Sequence, residues 1–335
     1  MTSPSLKAGL PLGLGGAPLG NLFAAIADQD AHALVGAALA SGCCRFDTAP
    51  HYGNGLSEHR LGRALRGVAR EDFVLSSKVG RLLHPDGDAP RQQNGYVDVL
   101  PFVQAWDYSA AGVRRSVEDS LQRLGLSRLD AVYLHDCDAV THGASYPQVL
   151  RQVVEEALPE LQRLKTQGLV THVGLGVNDV QVCLDVLQLA ELDCLMLAGR
   201  YSLIDHSALP QLLPLCSQRG LRIALGGVFN SGILATGVRH GQVARFNYAA
   251  APQLWVERVA AIEVLCAQFR VPLRAAALQF PLAHPVIEIV MLGVQDVAQW
   301  RDGMAMMAHP IEPGFWTALR EHGLIGQTAP TPGTP

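Results

Sequence analysis

Arg45-Phe46-Asp47-Thr48-Ala49-Pro50-His51-Tyr52-Gly53-Asn54-Gly55-Leu56-Ser57-Glu58 runs from small and apolar residues into an acid, then into a glycine-rich loop, then into a helix-like segment. A buried strand ending in Asp delivers a charged side chain to the rim of a sheet. Ser57 suits the cap of the next helix with Glu58 in its first turn, and 59–66 reads as helix with Leu61 and Leu65 on one face. Asp47 and Tyr52 thus stand five residues apart across a strand-to-loop junction, a spacing that reads as half of a catalytic centre. The plainer reading is a strand, turn and helix whose polar groups only bond locally.

Working outward, the same strand-then-helix unit repeats. Strands read at 12–14, 44–47, 73–78, 129–135, 170–174, 194–198, 222–225 and 287–292. Helices read at 32–40, 110–124, 149–167, 180–189, 208–219, 254–269 and 297–307. Continuous apolar strands of this kind belong in a parallel sheet covered by helices, and eight units favour a closed α/β (β/α)8 TIM barrel over a doubly wound sheet. No linker divides the chain, so residues 1–325 are expected to form one barrel domain and 326–335 a mobile tail. Long loops at 81–108 and 136–147 follow strand ends, where a barrel builds its site.

The 335-residue chain is 49% hydrophobic and 17% charged, which excludes disorder over most of its length. Its net charge of −4 and lack of a basic cluster give no electrostatic reason to expect nucleic acid or an anionic membrane as partner. A small-molecule substrate fits better. Seven cysteines without CxxC spacing suggest reduced thiols and no metal site. No apolar run approaches the roughly 18 residues that span a bilayer. A cytoplasmic location is expected, as a monomer or weak homo-oligomer.

Asp47, Lys78 and His135 fall at the ends of the second, third and fourth strands, so they converge on one barrel mouth, with Tyr52 just beyond the first. Each alone is more simply a surface or rim residue, but three on adjacent strands point to an acid/base site. A phenol is a poor proton carrier at neutral pH, and a nearby ammonium pulls its pKa down. Lys78 is expected to do this, held in turn by Asp47, while His135 places the substrate oxygen. Such a device suits hydride transfer between an alcohol or carbonyl carbon and a nicotinamide.

The Asp-Thr-Ala-x-x-Tyr-Gly-x-Gly-x-Ser-Glu word, the strand-end Lys78 and Leu134-His135 resemble the aldo-keto reductase superfamily over residues 8–322. The resemblance implies a catalytic tetrad of Asp47, Tyr52, Lys78 and His135. Gly15-Gly16-Ala17-Pro18-Leu19-Gly20-Asn21, Gly174-Leu175-Gly176-Val177-Asn178 and Phe229-Asn230-Ser231-Gly232-Ile233-Leu234 further resemble its bacterial aldose 1-dehydrogenase branch. That branch oxidises cyclic hemiacetals to lactones with NAD or NADP, on substrates such as L-fucose, D-arabinose or pyridoxal. The resemblance also implies cofactor contacts at Asn178, at Gly227, Val228, Phe229, Asn230, Ser231 and Gly232 around the pyrophosphate, and at Gly293, Gln295 and Gln299. His51, Phe102 and Trp106 are candidate substrate-pocket residues.

Gly13-Leu14-Gly15-Gly16 looks like a dinucleotide fingerprint, but Pro18 stands where its last glycine belongs and no helix opens there. It reads better as the exit of the first strand. Asn178 reads either as a carboxamide contact or as a helix cap. Two positions depart from the superfamily: Ala198 replaces a usual Gln, with Arg200 as substitute, and Gly226 replaces the usual nicotinamide-stacking aromatic, with Phe229 or Tyr201 as substitutes. Gln295 followed by Asp296, where relatives of the family place a cation for the 2′-phosphate, favours NAD over NADP; Arg301 is the residue that would reverse this. A non-catalytic nicotinamide-binding regulator is the alternative of another class.

Overall fold

A computed structural model describes residues 10–238 and 243–333; the first nine residues and the last two of the expected tail lie outside the described residues. Eight parallel strands close into a barrel: β1 Leu12–Gly15, β2 Arg45–Asp47, β3 Val74–Val79, β4 Leu129–His135, β5 Val170–Val177, β6 Cys194–Ala198, β7 Arg222–Gly226 and β8 Ile287–Gly293. Each strand pairs with its neighbours in sequence and β1 closes on β8, so the (β/α)8 expectation holds. The main apolar core lies between the barrel and its ring of helices, as two-sided burial of parallel strands requires.

The glycines at the exit of β1 have a packing reason. A Cβ on Gly16 would meet the Asp47 carbonyl oxygen at 2.6 Å, and one on Gly20 would meet the Tyr52 carbonyl carbon at 2.4 Å. The first loop therefore lies directly against the Asp47–Tyr52 segment, a contact only glycine permits.

Several local expectations change. Helix Leu56–Leu65 begins after Gly55, whose φ of 92° makes the turn, and Ser57 does not cap it. Ser57 Oγ instead donates to the Gly16 carbonyl at 2.7 Å and accepts from Thr48 Oγ1 at 2.8 Å, tying the first two loops together. Glu58 is fully buried, accepting from Ser77 Oγ at 2.8 Å and Arg123 Nε at 2.6 Å. The 81–108 loop contains an antiparallel hairpin of Arg81–Pro85 with Phe102–Trp106, whose register places Arg81 opposite Trp106. The single helix expected over 149–167 is Tyr146–Gln152, a π-helical turn Val153–Ala157 and Leu158–Thr166.

After β7 the helix packed against Val297–Ala308 is Leu273–Gln279, whereas Gln253–Phe269 packs against a C-terminal helix, Pro313–Glu321. In the segment expected to be a mobile tail, Ala329 and Thr331 are buried and Arg320 donates to the Ala329 carbonyl at 3.1 Å. No helix among the described residues is long and apolar enough to cross a membrane.

Candidate active site

Strand register brings the polar strand ends together. Asp47 pairs with Ser76 on β3, and Lys78, two residues further, points to the same side as Ser76. Lys78 Nζ donates to Asp47 Oδ2 at 2.6 Å and to the Thr48 carbonyl at 2.9 Å, while Ser76 Oγ donates to Asp47 Oδ1 at 2.7 Å. Both charged side chains are almost wholly buried, 3% and 4% exposed, so neither is a solvated rim group.

Tyr52 lies beside this pair, with Lys78 Nζ 4.6 Å from its ring centroid. The His135 ring stands edge-on to it with centroids 6.2 Å apart, and Tyr96 stacks on it at 6.0 Å. The four residues expected on sequence grounds therefore form one cluster at the C-terminal mouth of the barrel.

Their electrostatics differ from the expectation. Burial pushes the Tyr52 phenol well above its ordinary pKa, and the Asp47 carboxylate pushes in the same direction. Desolvation is the largest contribution, so the net shift runs opposite to the lowering expected from Lys78. Burial likewise raises Asp47, opposed by Lys78. His135 is held well below its ordinary pKa by burial and by the Arg81 and Lys78 cations. The resting cluster thus carries a neutral phenol and a neutral imidazole beside one buried ion pair, a proton donor and a hydrogen-bond donor for an oxygen placed between them.

Of the three substrate-pocket residues expected, His51 is in the cluster, its ring 5.6 Å from His135 and 5.2 Å from Tyr96. Gln104 Nε2 donates to Asn54 Oδ1 at 2.7 Å, which turns Gln104 Oε1 toward His51 Nδ1 at 2.9 Å. The Nδ1 nitrogen therefore carries the proton and Nε2 is left as an acceptor, with burial lowering the ring's pKa to about 3. Trp106 sits further out, 39% exposed, stacked on Tyr108 and covered by the Arg81 guanidinium 3.7 Å from its ring. Phe102 supplies its carbonyl to Asn54 Nδ2 at 2.6 Å, as a loop anchor.

The residues expected to contact a cofactor occupy the ends of β5, β7 and β8. Asp179, not Asn178, caps helix Val180–Leu189, which leaves the exposed Asn178 amide near the Tyr248 phenol. From Gly227 to Gly232, Gly227 is left-handed, Val228 and Phe229 are ordinary, and Asn230, Ser231 and Gly232 are left-handed in succession, a turn conformation of the kind that can hold an anion. Val228 is buried and Phe229 half-buried beside them. Asn230 Oδ1 is buried without a partner among the described residues. These features fit a dinucleotide's phosphates and carboxamide. Past Gly293, the Gln295 amide donates to Gln299 Oε1 at 3.0 Å and Asp296 Oδ1 accepts from the Gln299 amide at 2.8 Å.

Tyr201 is not at the mouth: it is fully buried against Phe280, His284 and His206. Arg200 is tied to Asp205 at 3.0 Å and also to Asn247. The aromatic that does reach the mouth is Tyr248, at the tip of the hairpin formed by Arg245–Phe246 and Ala249–Ala250. A groove of about 460 Å³ opens between Tyr96, Phe23, Ser231 and Arg245. Sequence reading also missed Tyr96, Gln104, Arg81 and Asp136. Arg81 and Asp136 were detectable only as charged residues within two positions of a strand end, a weak signal.

The Aldo/keto reductase family model matches residues 11–323. Pyridoxal 4-dehydrogenase of Microbacterium luteolum is 41% identical, with 94% of each chain covered. D-threo-aldose 1-dehydrogenase of a Pseudomonas species is 37% identical over 96% of this chain and 95% of its own. The holo form of an aldo-keto reductase from Bacillus halodurans superposes with a TM-score of 0.72 at 22% identity, covering 95% of this chain and 93% of that one, which is a likeness of fold. With the closed barrel and the mouth cluster, these similarities place the chain in the aldo/keto reductase family.

Proposed function

We propose that this protein is an NAD-dependent dehydrogenase that oxidises the C1 hemiacetal of an aldose, such as L-fucose or D-arabinose, to its lactone. Family membership carries the coarser statement, an NAD(P)-dependent oxidoreductase of aldo-keto reductase type acting on a small molecule. The observation that supports the finer one is the mouth cluster, in which Tyr52, His135 and the Lys78–Asp47 pair surround a place for one reacting oxygen.

A bound nicotinamide supplies the acceptor for the hydride that leaves C1. The chain's own residues handle the oxygen. Tyr52 exchanges the C1 hydroxyl proton, so that loss of that proton and of the C1 hydride leaves the lactone carbonyl, and in reverse the neutral phenol returns it. His135 donates a hydrogen bond that places the same oxygen, and Asp47 fixes Lys78 against the Tyr52 ring. Asn178 and residues 227–232 would hold the nicotinamide and pyrophosphate, with Gly293, Gln295 and Gln299 further along the cofactor. Asp296, fixed as the cap of helix Val297–Ala308 beside Gln295, disfavours a 2′-phosphate and so supports NAD over NADP.

A second reading, oxidation of the pyridoxal hemiacetal to 4-pyridoxolactone, is favoured by the 41% identity to pyridoxal 4-dehydrogenase. Both are tested by following NADH or NADPH formation with L-fucose, D-arabinose, L-galactose, L-xylose and pyridoxal. Turnover of an aldose with NAD supports the leading reading. Turnover of pyridoxal alone selects the second, and a preference for NADP above about tenfold, or 1.4 kcal/mol, overturns the charge argument.

A further inference from the structure

Lys78 already has its counter-charge in Asp47, yet a second ion pair stands in the same mouth. Arg81 Nη2 donates to Asp136 Oδ2 at 2.8 Å, with both side chains less than one-fifth exposed. Burying such a pair costs desolvation that its own attraction seldom exceeds, so its retention calls for a task. Its geometry is constrained on every side. Asp136 sits at φ 46°, which turns it out of β4's path directly after His135, and its Oδ2 comes within 3.5 Å of His135 Nε2. Arg81 is clamped by Trp106 and by Gln104 Oε1 at 3.2 Å, and its Nε is buried without a partner among the described residues.

Around the oxygen that His135 Nε2 would hold there is therefore an acceptor-only carboxylate at Asp136, a second acceptor at His51 Nε2 and a fixed donor at Arg81. A hydroxyl both donates and accepts, and vicinal hydroxyl oxygens lie within one hydrogen-bond length of each other. A group standing beside His135 Nε2 is thus placed to meet the oxygen on the neighbouring carbon. The ring oxygen substituent of pyridoxal is an anionic acceptor, which a carboxylate repels.

We propose that Asp136 and Arg81 are the specificity-determining residues of this site: Asp136 accepts the hydroxyl on the carbon next to the reacting one, and Arg81 orients Asp136 and donates to the same hydroxyl. This rests on the aldose reading, in which His135 holds the reacting oxygen.

The test compares NAD-linked oxidation of D-arabinose, of 2-deoxy-D-ribose (D-arabinose without its C2 hydroxyl) and of pyridoxal, with reduction of 4-nitrobenzaldehyde reporting the state of the mouth cluster. Wild type is expected to favour D-arabinose over the deoxy sugar by at least about tenfold in kcat/KM, the size of one charge-assisted hydrogen bond. In Asp136→Asn that ratio is expected to fall below about threefold, with the loss on D-arabinose exceeding the loss on 4-nitrobenzaldehyde; Arg81→Lys is expected to fall between. A wild-type ratio below about threefold, or a ratio kept in Asp136→Asn, overturns the assignment while leaving the aldose reading standing. Turnover of pyridoxal without any of D-arabinose, L-fucose, L-galactose or L-xylose removes the aldose reading itself, and the assignment with it. The wild-type ratio decides even if a variant does not fold.

Discussion

The three-residue strand Arg45–Asp47 carries an ion pair at each end, and the two are built differently. At the N-terminal end of the barrel Arg45 Nη1 meets Glu288 Oε1 at 2.6 Å with side chains 14% and 27% exposed. At the C-terminal mouth Lys78 meets Asp47 at the same distance with side chains 3% and 4% exposed. The first lines a cavity of about 580 Å³ floored by Ala131, Tyr133, Met196, Ile289 and Met291, where solvent reaches the charges. The second is sealed by Tyr52, Thr48 and Ser76 and surrounded by other polar groups. Equal distances do not make equal interactions: the solvated pair needs no explanation beyond local fit, while the desolvated one is costly unless it acts on a neighbour.

Five substitutions can break or sharpen that contrast. Tyr52→Phe removes the group the buried pair serves, and is expected to lower kcat by about a thousandfold, within the usual range for a lost acid/base group, with NAD affinity unchanged in a fluorescence titration. Retained turnover would show that the mouth pair serves something else. Lys78→Met leaves Asp47 buried and unpaired, with an expected loss of about 3–5 kcal/mol in urea denaturation, against less than about 1 kcal/mol for Arg45→Met at the other end. Similar losses at both ends would erase the distinction.

Asp47→Asn removes a charge that raises the Tyr52 pKa, and so lowers that pKa. The rate of oxidation, which needs the phenolate, should then reach its plateau at lower pH, alongside a reduced maximum. An acid-side limb that stays in place or moves up would contradict the electrostatic account. The smallest effect is at the far cavity, where Ala224→Val adds two methylene-sized groups to its lining and is expected to stabilise by up to about 1 kcal/mol with kcat unchanged. A loss of activity there would mean that the two ends are coupled.

Much of the mouth was legible because barrel strands are apolar on both faces, so a charged residue at a strand end stands out: Asp47, Lys78 and His135 are each the charged residue near the C-terminal end of such a strand. Their loops were not. Arg81 meets Trp106 only through a hairpin closed across twenty-odd residues, and its partner Asp136 arrives from a different strand. Tyr248 reaches Asn178 from a turn whose φ values of 48° and 64° fall on Asn247 and Tyr248, residues that no glycine marks in advance. Ser57 looked like a cap because its spacing suits one, yet the contact with Gly16 claimed its hydroxyl.

The amino-acid sequence by itself determined the eight-unit alternation, the barrel, and which side chains stand at its strand ends, because periodicity and polarity breaks are local properties of the chain. Only the tertiary structure decided the state of Tyr52 and the company of Asp136. A phenol's proton affinity is a sum over burial and every nearby charge, and those distances exist only once distant strands and loops have closed on one mouth.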